Sequence, residues 1–335
     1  MEKNLLPTAI DEGIVLKTSL LEVSRKISNQ FDGDKFEPDH GDRMKLKKNS
    51  LAAALLYLAV FASATFAATS ALNNPRGLAV DAKGNLYVAN TLGGANGTGN
   101  ILVYGPAYAL QQKKTITQNI NLPSAVAVDP FGNLWVANDG ASNGGVNGSL
   151  AEYTAGMQNA SGVITNGIAE PIAIAIDGSD NIWVENNFGN ITVYASTAVA
   201  FAPPTTLVQT LTPPPPLGGL AIVGTDVLAF ASNGNTYLTP TVPALLSGSF
   251  QNYYYQDAGG VLAGAAGNKL YFTDAYGTVW DTQPNGSADY FTNTFYVPAG
   301  MATDSARGRV YISSGFGNSI YVYDMTNGLL LHVIQ

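Results

Sequence analysis

Three stretches of this 335-residue chain are near copies of one another: GLAVDAKGNLYVAN from Gly77, AVAVDPFGNLWVAN from Ala125 and AIAIDGSDNIWVEN from Ala173. They place Asp81, Asp129 and Asp177 at successive intervals of 48 residues. Three more divergent copies follow, GLAIVGTDVLAFAS from Gly219, VLAGAAGNKLYFTD from Val261 and GMATDSARGRVYISS from Gly300, making six. A unit of this length cannot bury its apolar face alone, so it must stack against the next copy.

Each copy reads as an apolar strand, a tight turn, a second apolar strand, a Gly/Asn-rich loop and a third strand such as ILVYG, ITVYA or IYVYD. More polar segments, KTITQNI before the second copy and LLLHVIQ at the end of the last, supply a fourth strand. A four-stranded antiparallel meander of roughly 40 to 48 residues has the size of a propeller blade. The expected fold is therefore all-β, a six-bladed β-propeller over residues 74–335, with blades near 74–121, 122–169, 170–212, 213–256, 257–297 and 298–335. Tyr87, Trp135, Trp183, Tyr271 and Tyr311 recur on the second strands and are expected to pack between blades, with Ala229 the small exception. The last blade draws all four strands from the end of the chain, so the ring is expected to close without a swapped N-terminal strand. The Pro-rich stretch at 203–216 reads as an extended connector between the third and fourth blades.

Ahead of the repeats, MKLKKNS from Met44 precedes LAAALLYLAVFASATFA, a lysine-rich start, an apolar run and small terminal residues. This is the layout of a signal peptide at 44–67, cleaved after Ala67 or Ala64, and it implies a secreted or periplasmic protein. Residues 1–43 carry no repeat; they are either an unstructured extension or a mis-assigned start, with Met44 the true one. If the segment stays uncleaved it anchors the chain in a membrane, with Arg43, Lys45, Lys47 and Lys48 on the inner side.

The words GNLYVAN and NILVY resemble the NHL repeat, and the resemblance covers roughly residues 74–335. It implies a six-bladed propeller that binds proteins or other ligands. More distantly, the chain is similar to the streptogramin lyase and regucalcin/gluconolactonase propellers, a resemblance that implies a top-face metal, with histidine acid/base chemistry in the lyases. The chain departs from the lyase pattern, because its two histidines are His40, ahead of the apolar segment, and His332, in an outer strand.

Two columns of residues bear on function. The Asp of Asp81, Asp129, Asp177 and Asp304 precedes a turn with Gly or Asn and is read as a structural acceptor of backbone N–H groups. The second-strand ends align Asn90, Asn138, Asn186, Ser232, Asp274 and Ser314, one per blade, and beside them Glu185 interrupts a row of small residues: Ala89, Ala137, Ala231, Thr273 and Ser313. Glu185, Asn138, Asn186 and Asp274 are candidate oxygen ligands for Ca²⁺ or another divalent cation, set against a solvated rim glutamate and no cofactor. On the face where the second-to-third-strand loops and the lead-ins to first strands emerge, Arg76, Asn90, Asn138, Asp139, Glu170 and Asn186 are candidate ligand-binding residues, beside TLGGANGTGN, DGASNGGVNGS and NFGN. Tyr253, Tyr254 and Tyr255 offer an aromatic contact surface or an outer strand.

No cysteine is present, which excludes disulfides, thiolate chemistry and a lipid-modified cysteine. From Ala68 onward seven basic residues face fifteen acidic ones, so a phosphate backbone is repelled and nucleic acid is excluded as a partner. The reading is an exported monomeric scaffold that binds a protein, glycan or small molecule. The alternative is a metal-dependent hydrolase or lactonase with a cation at the channel mouth.

Overall fold

The computed structural model describes residues 71–335 apart from 95, 141–147, 188–189, 195–206, 212–216, 225–226, 233–234, 241–250, 256–257, 266–268, 275–276, 283–287 and 295–297. The side chains of 207–211, 217, 227–232, 235–240, 251–255, 258–262, 265, 274 and 288 also lie outside the described set. The segments expected at 1–43 and 44–67 fall outside it as well. Everything described belongs to one compact unit, Ala68–Gln335.

That unit is built of antiparallel sheets whose strands follow chain order. The first sheet holds β1 (Pro75–Val80), β2 (Leu86–Asn90) and β3 (Asn100–Tyr104). The second holds β4 (Pro123–Val128), β5 (Leu134–Asn138), β6 (Ser149–Tyr153) and β7 (Gly162–Ile164), and the third β8 (Pro171–Ile176), β9 (Ile182–Asn186), β10 (Asn190–Tyr194) and β11 (Leu207–Leu211). The fourth comprises β12 (Leu217–Val223), β13 (Val227–Ser232), β14 (Asn235–Pro240) and β15 (Gln251–Tyr255). The fifth comprises β16 (Ala258–Ala265), β17 (Lys269–Asp274), β18 (Thr278–Thr282) and β19 (Ala288–Asn293). The last comprises β20 (Gly300–Asp304), β21 (Arg309–Ser314), β22 (Ser319–Asp324) and β23 (Leu330–Ile334). The fold is a β-propeller, and among the described residues the one helical element is a 3₁₀ turn at Gln112–Lys114.

Five sheets, not six, are complete four-stranded blades. In the first sheet KTITQNI forms no fourth strand: Ile116 makes an isolated bridge to Ile101, and Leu110 another to Tyr104. The chain after β3 instead makes contacts to the last blade. Tyr108 takes a left-handed φ of 65° and stacks on His332 with ring centroids 4.5 Å apart, Arg309 lies 4.9 Å over the Tyr108 ring, and the Arg309 guanidinium donates to the Pro106 carbonyl at 2.9 Å. A second correction concerns the Pro-rich stretch, where Leu207–Leu211 is a strand paired to β10 rather than a bare connector.

The first strand of each sheet lies at its edge, and these strands neighbour one another in the cyclic order β1, β4, β8, β12, β16, β20 and back to β1. The approach is close. A Cβ on Gly264 would overlap the Ile222 carbonyl oxygen, and one on Gly300 the Arg76 carbonyl oxygen. Between the sheets lies the core. Trp135, Trp183, Tyr271 and Tyr311 are all buried, each removing ~150–250 Å² from water, while Tyr87 is half-buried and its hydroxyl donates to Asp81 at 3.3 Å. Alternate faces of one second strand serve two seams: Val136 packs toward the first sheet, Trp135 and Ala137 toward the third. The expected compensation around Ala229 involves side chains outside the described residues.

The last sheet takes all four strands from residues 300–334, so no strand is exchanged with the first. Side chains close the ring. Ser313 Oγ donates to the Arg76 carbonyl at 2.6 Å, Arg307 to the Lys83 carbonyl at 2.8 Å, and the Asn74 amide to Asn318 Oδ1 at 2.8 Å. Beneath them Leu78, Val88 and Leu102 share one cluster with Tyr311, Ile320 and Val322.

Candidate functional site

Because each first strand is an edge strand, its outer row of N–H and C=O groups has no ladder partner and faces the axis of the ring. There they border a cavity of about 360 Å³. Its wall carries the second residue of successive first strands, Arg76, Ser124, Ile172 and Gly218, together with Phe316 from the loop between β21 and β22. The Ser124 hydroxyl is already committed across a seam to the Pro171 carbonyl, as the Ser313 hydroxyl is to Arg76. Arg76 is the charged side chain among the described lining residues, and its guanidinium has no ion pair or hydrogen bond among the described residues.

The two repeated columns resolve differently. Asp81, Asp129 and Asp177 lie on the turns between first and second strands, and in each Oδ1 accepts two backbone N–H groups while Oδ2 accepts the Asn amide four residues on; for Asp129 these are Phe131 N at 2.9 Å, Asn133 N at 2.8 Å and Asn133 Nδ2 at 2.8 Å. Asp304 instead holds Arg307, by its backbone N–H at 3.0 Å and its guanidinium at 3.2 Å. A left-handed residue completes each turn, Gly84, Gly132 and Gly308 and, in the third sheet, Asp180 at φ 64°. The column is structural.

Asn90, Asn138 and Asn186, expected to offer amides to a ligand, turn theirs back on the chain. Asn138 Oδ1 accepts the Asn121 N–H at 2.9 Å and its Nδ2 donates to the Asn119 carbonyl at 3.1 Å. Asn186 bonds Ala169 at 2.9 Å and Gly167 at 3.2 Å, and Asn90 bonds Asn73 at 2.5 Å and Ala71 at 3.0 Å, at the same spacing along the chain. Each Asn pins the lead-in loop of its own blade. The expected cation set loses two oxygens in this way, and among the described residues no group of three or more acidic, His or Cys side chains could hold a metal ion. The Asp274 side chain lies outside the described residues.

Glu185 is not a solvated rim residue. It is fully buried, and neither carboxyl oxygen has a side-chain hydrogen-bond partner among the described residues. On β9 it shares a face with Trp183, directed to the seam with the fourth sheet, where Ala89 and Ala137 stand in earlier seams. The backbone of Gly218, from the fourth sheet, lies against its carboxyl. Burial pushes its carboxyl up to about 8, and the Gly218 backbone amide offsets this only in part.

The structure does gather Arg76, Asp139 and Glu170. Asn74, Leu122 and Glu170 precede first strands with left-handed φ of 55°, 49° and 47°, and their carbonyls accept the N–H of Thr91, Asp139 and Asn187 at 3.2, 3.1 and 3.0 Å. This collar fixes Asp139 and Glu170 on one face. Burial raises the Asp139 carboxyl above its usual range, the charge of Glu170 raises it further and that of Arg76 lowers it. Phe316, 92% exposed at the cavity wall, was not anticipated; an aromatic between two glycines in SGFGN was its signal. Of the loops expected on this face, 141–147 and 188–189 lie outside the described residues, as do the side chains of Tyr253, Tyr254 and Tyr255.

No protein-family model matches the chain, and no curated protein matches it. Among solved structures it is similar to a streptogramin B lyase, with 12% identity and a TM-score of 0.55 over 80% of this chain and 84% of that one. It is also similar to a catalytically inactive histidine-to-alanine variant of virginiamycin B lyase from Staphylococcus aureus with quinupristin, at 12% identity and a TM-score of 0.51 over 78% and 85%. The likeness is one of fold. His332, the histidine among the described residues, sits on outer strand β23 against Tyr108.

Proposed function

We propose that this protein is an exported, monomeric binding module whose first, three-stranded sheet acts as the sixth blade of an NHL-like ring, and that it captures a small ligand at the mouth of its central cavity. One observation carries the reading: a 360 Å³ cavity walled by unpaired strand edges presents a single charged side chain, Arg76, without an ion pair among the described residues. Ligand pockets span about 300–1,000 Å³ and use few polar groups to fix orientation. Lyase chemistry of the kind named for the structural neighbours is disfavoured, because a histidine substitution inactivates the lyase from Staphylococcus aureus and here His332 is stacked in an outer strand.

The rival is a divalent-cation hydrolase centred on Glu185. Its carboxyl is buried in a seam, and among the described residues no second acidic, His or Cys side chain joins it in a group of three that could hold a cation. Elemental analysis of the purified protein dialysed without chelator separates the two: about one equivalent of calcium, manganese or zinc supports the hydrolase, and none supports the binding module. A thermal-shift screen of small polar compounds on wild type and Arg76→Gln then tests the site. Compounds that stabilise wild type and spare the variant support it, and equal shifts on both proteins reject it.

A further inference from the structure

Four side chains follow one another around a single face of the ring. Phe316 comes after β21 of the last blade, Arg76 is the second residue of β1, Asp139 follows β5, and Glu170 immediately precedes β8. Antiparallel connection puts strand-two ends and strand-one starts on the same side. The backbone that carries them is tied down. The Phe316 turn is tied by Gly317 N to Ser314 Oγ at 3.1 Å and Ser319 Oγ to the Gly317 carbonyl at 2.7 Å, and Asn318 joins it to Asn74, two residues from Arg76. Glu170 Oε2 accepts the Asn187 side-chain amide at 3.1 Å, and Asp139 is fixed by the collar bond to Leu122 at 3.1 Å. A nearly fully exposed aromatic on a tied turn, lining the same cavity as a guanidinium without a partner among the described residues, is the make-up of a recognition site.

The charges select among ligands. A simple anion drawn to Arg76 meets Asp139 and Glu170, and a simple cation drawn to those acids meets Arg76. A molecule carrying both charges satisfies all three groups. We propose that this arc binds a small aromatic zwitterion, with an aromatic α-amino acid as the simplest case: its carboxylate on the Arg76 guanidinium, its ammonium between Asp139 and Glu170, and its ring on Phe316. The assignment rests on the central cavity being a small-ligand site, and it names the chemistry of that ligand.

The test is calorimetric titration of the full-length protein with L-phenylalanine, 3-phenylpropionate and 2-phenylethylamine, repeated on Arg76→Gln and Phe316→Ala. L-Phenylalanine is expected to bind at least about tenfold more tightly than either singly charged probe. Arg76→Gln is expected to bring it down to the level of 2-phenylethylamine, and Phe316→Ala to weaken it while glycine binding is unchanged. Equal or tighter binding of either singly charged probe overturns the proposal, as does no binding of L-phenylalanine at millimolar concentration. If another compound still stabilises wild type but not Arg76→Gln, the ligand class is wrong and the cavity reading survives; if no compound does, both fall.

Discussion

Glu185 occupies in the third sheet the position that Ser313 occupies in the last, yet among the described residues only the Ser313 side chain is well paired. Its hydroxyl donates across a seam to the Arg76 carbonyl at 2.6 Å, whereas both Glu185 oxygens are buried without a side-chain partner among the described residues. A hydroxyl can spend its proton on a strand-edge carbonyl at little desolvation cost. A carboxyl in the same kind of seam stays tolerable only while protonated.

This sets a pH dependence of stability. The Glu185 carboxyl titrates near 8 in the folded chain and near 4.5 when exposed, so between those values the native state holds a proton that the unfolded state has lost. Its contribution is complete below 4.5 and disappears as pH rises through 8, at about 1.4 kcal/mol per pH unit. Urea denaturation between pH 5 and pH 8 should show wild type weakening with a slope that Glu185→Gln removes. A variant as pH-dependent as wild type would assign the slope elsewhere.

Asn138→Ala removes both ties to the 119–121 lead-in. A loss of about 1–3 kcal/mol is expected in chemical denaturation, with Asn186→Ala alike, and added calcium should leave both variants and wild type unmoved. A calcium-dependent rise in wild-type melting temperature that Asn138→Ala abolishes would return that amide to a metal site.

Asp129→Ala leaves two turn N–H groups and the Asn133 amide without their acceptor, for an expected cost of about 1.5–3 kcal/mol. Asp129→Asn keeps one acceptor oxygen and should lose less. Since this turn lies on the face opposite Arg76, ligand binding should be unaltered in both.

Gly300→Ala places a methyl group on the Arg76 carbonyl oxygen, a backbone atom that cannot swing away. Gly308→Ala meets nothing within 4 Å and only strains a φ of 63°. Thermal unfolding should therefore show about 1–2 kcal/mol lost at Gly308 and a distinctly larger loss, or failure to fold, at Gly300. Equal losses would mean that the seam can relax.

Periodicity made the strands legible, because alternation and turn chemistry are local and Asp129 with Gly132 and Asn133 defines its turn within five residues. The Asn column was visible as a pattern but assigned to the wrong partner, since a side chain at a strand end points equally well toward a ligand or toward its own lead-in loop. Glu185 stood out among alanines, whereas its burial in the seam with the fourth sheet is a relation that strand-by-strand reading does not reach. KTITQNI alternates as a strand should, yet it keeps only the Ile116–Ile101 bridge, and the chain before it is held by Tyr108 against His332 and Arg309 of the last blade.

Five of the junctions between neighbouring sheets are crossed by the polypeptide itself, while the one between β20 and β1 is crossed by none. The ring of sheets is thus a split washer, held shut by Ser313, Arg307, Asn318 and the Tyr108 stack. Heat or mechanical load should part it there first, and the amides of β1 and β20 would trade their hydrogens with solvent ahead of those of β4 and β8. Arg76 and Phe316 stand on the two lips of that slit, so any molecule gripping both would lock the washer closed.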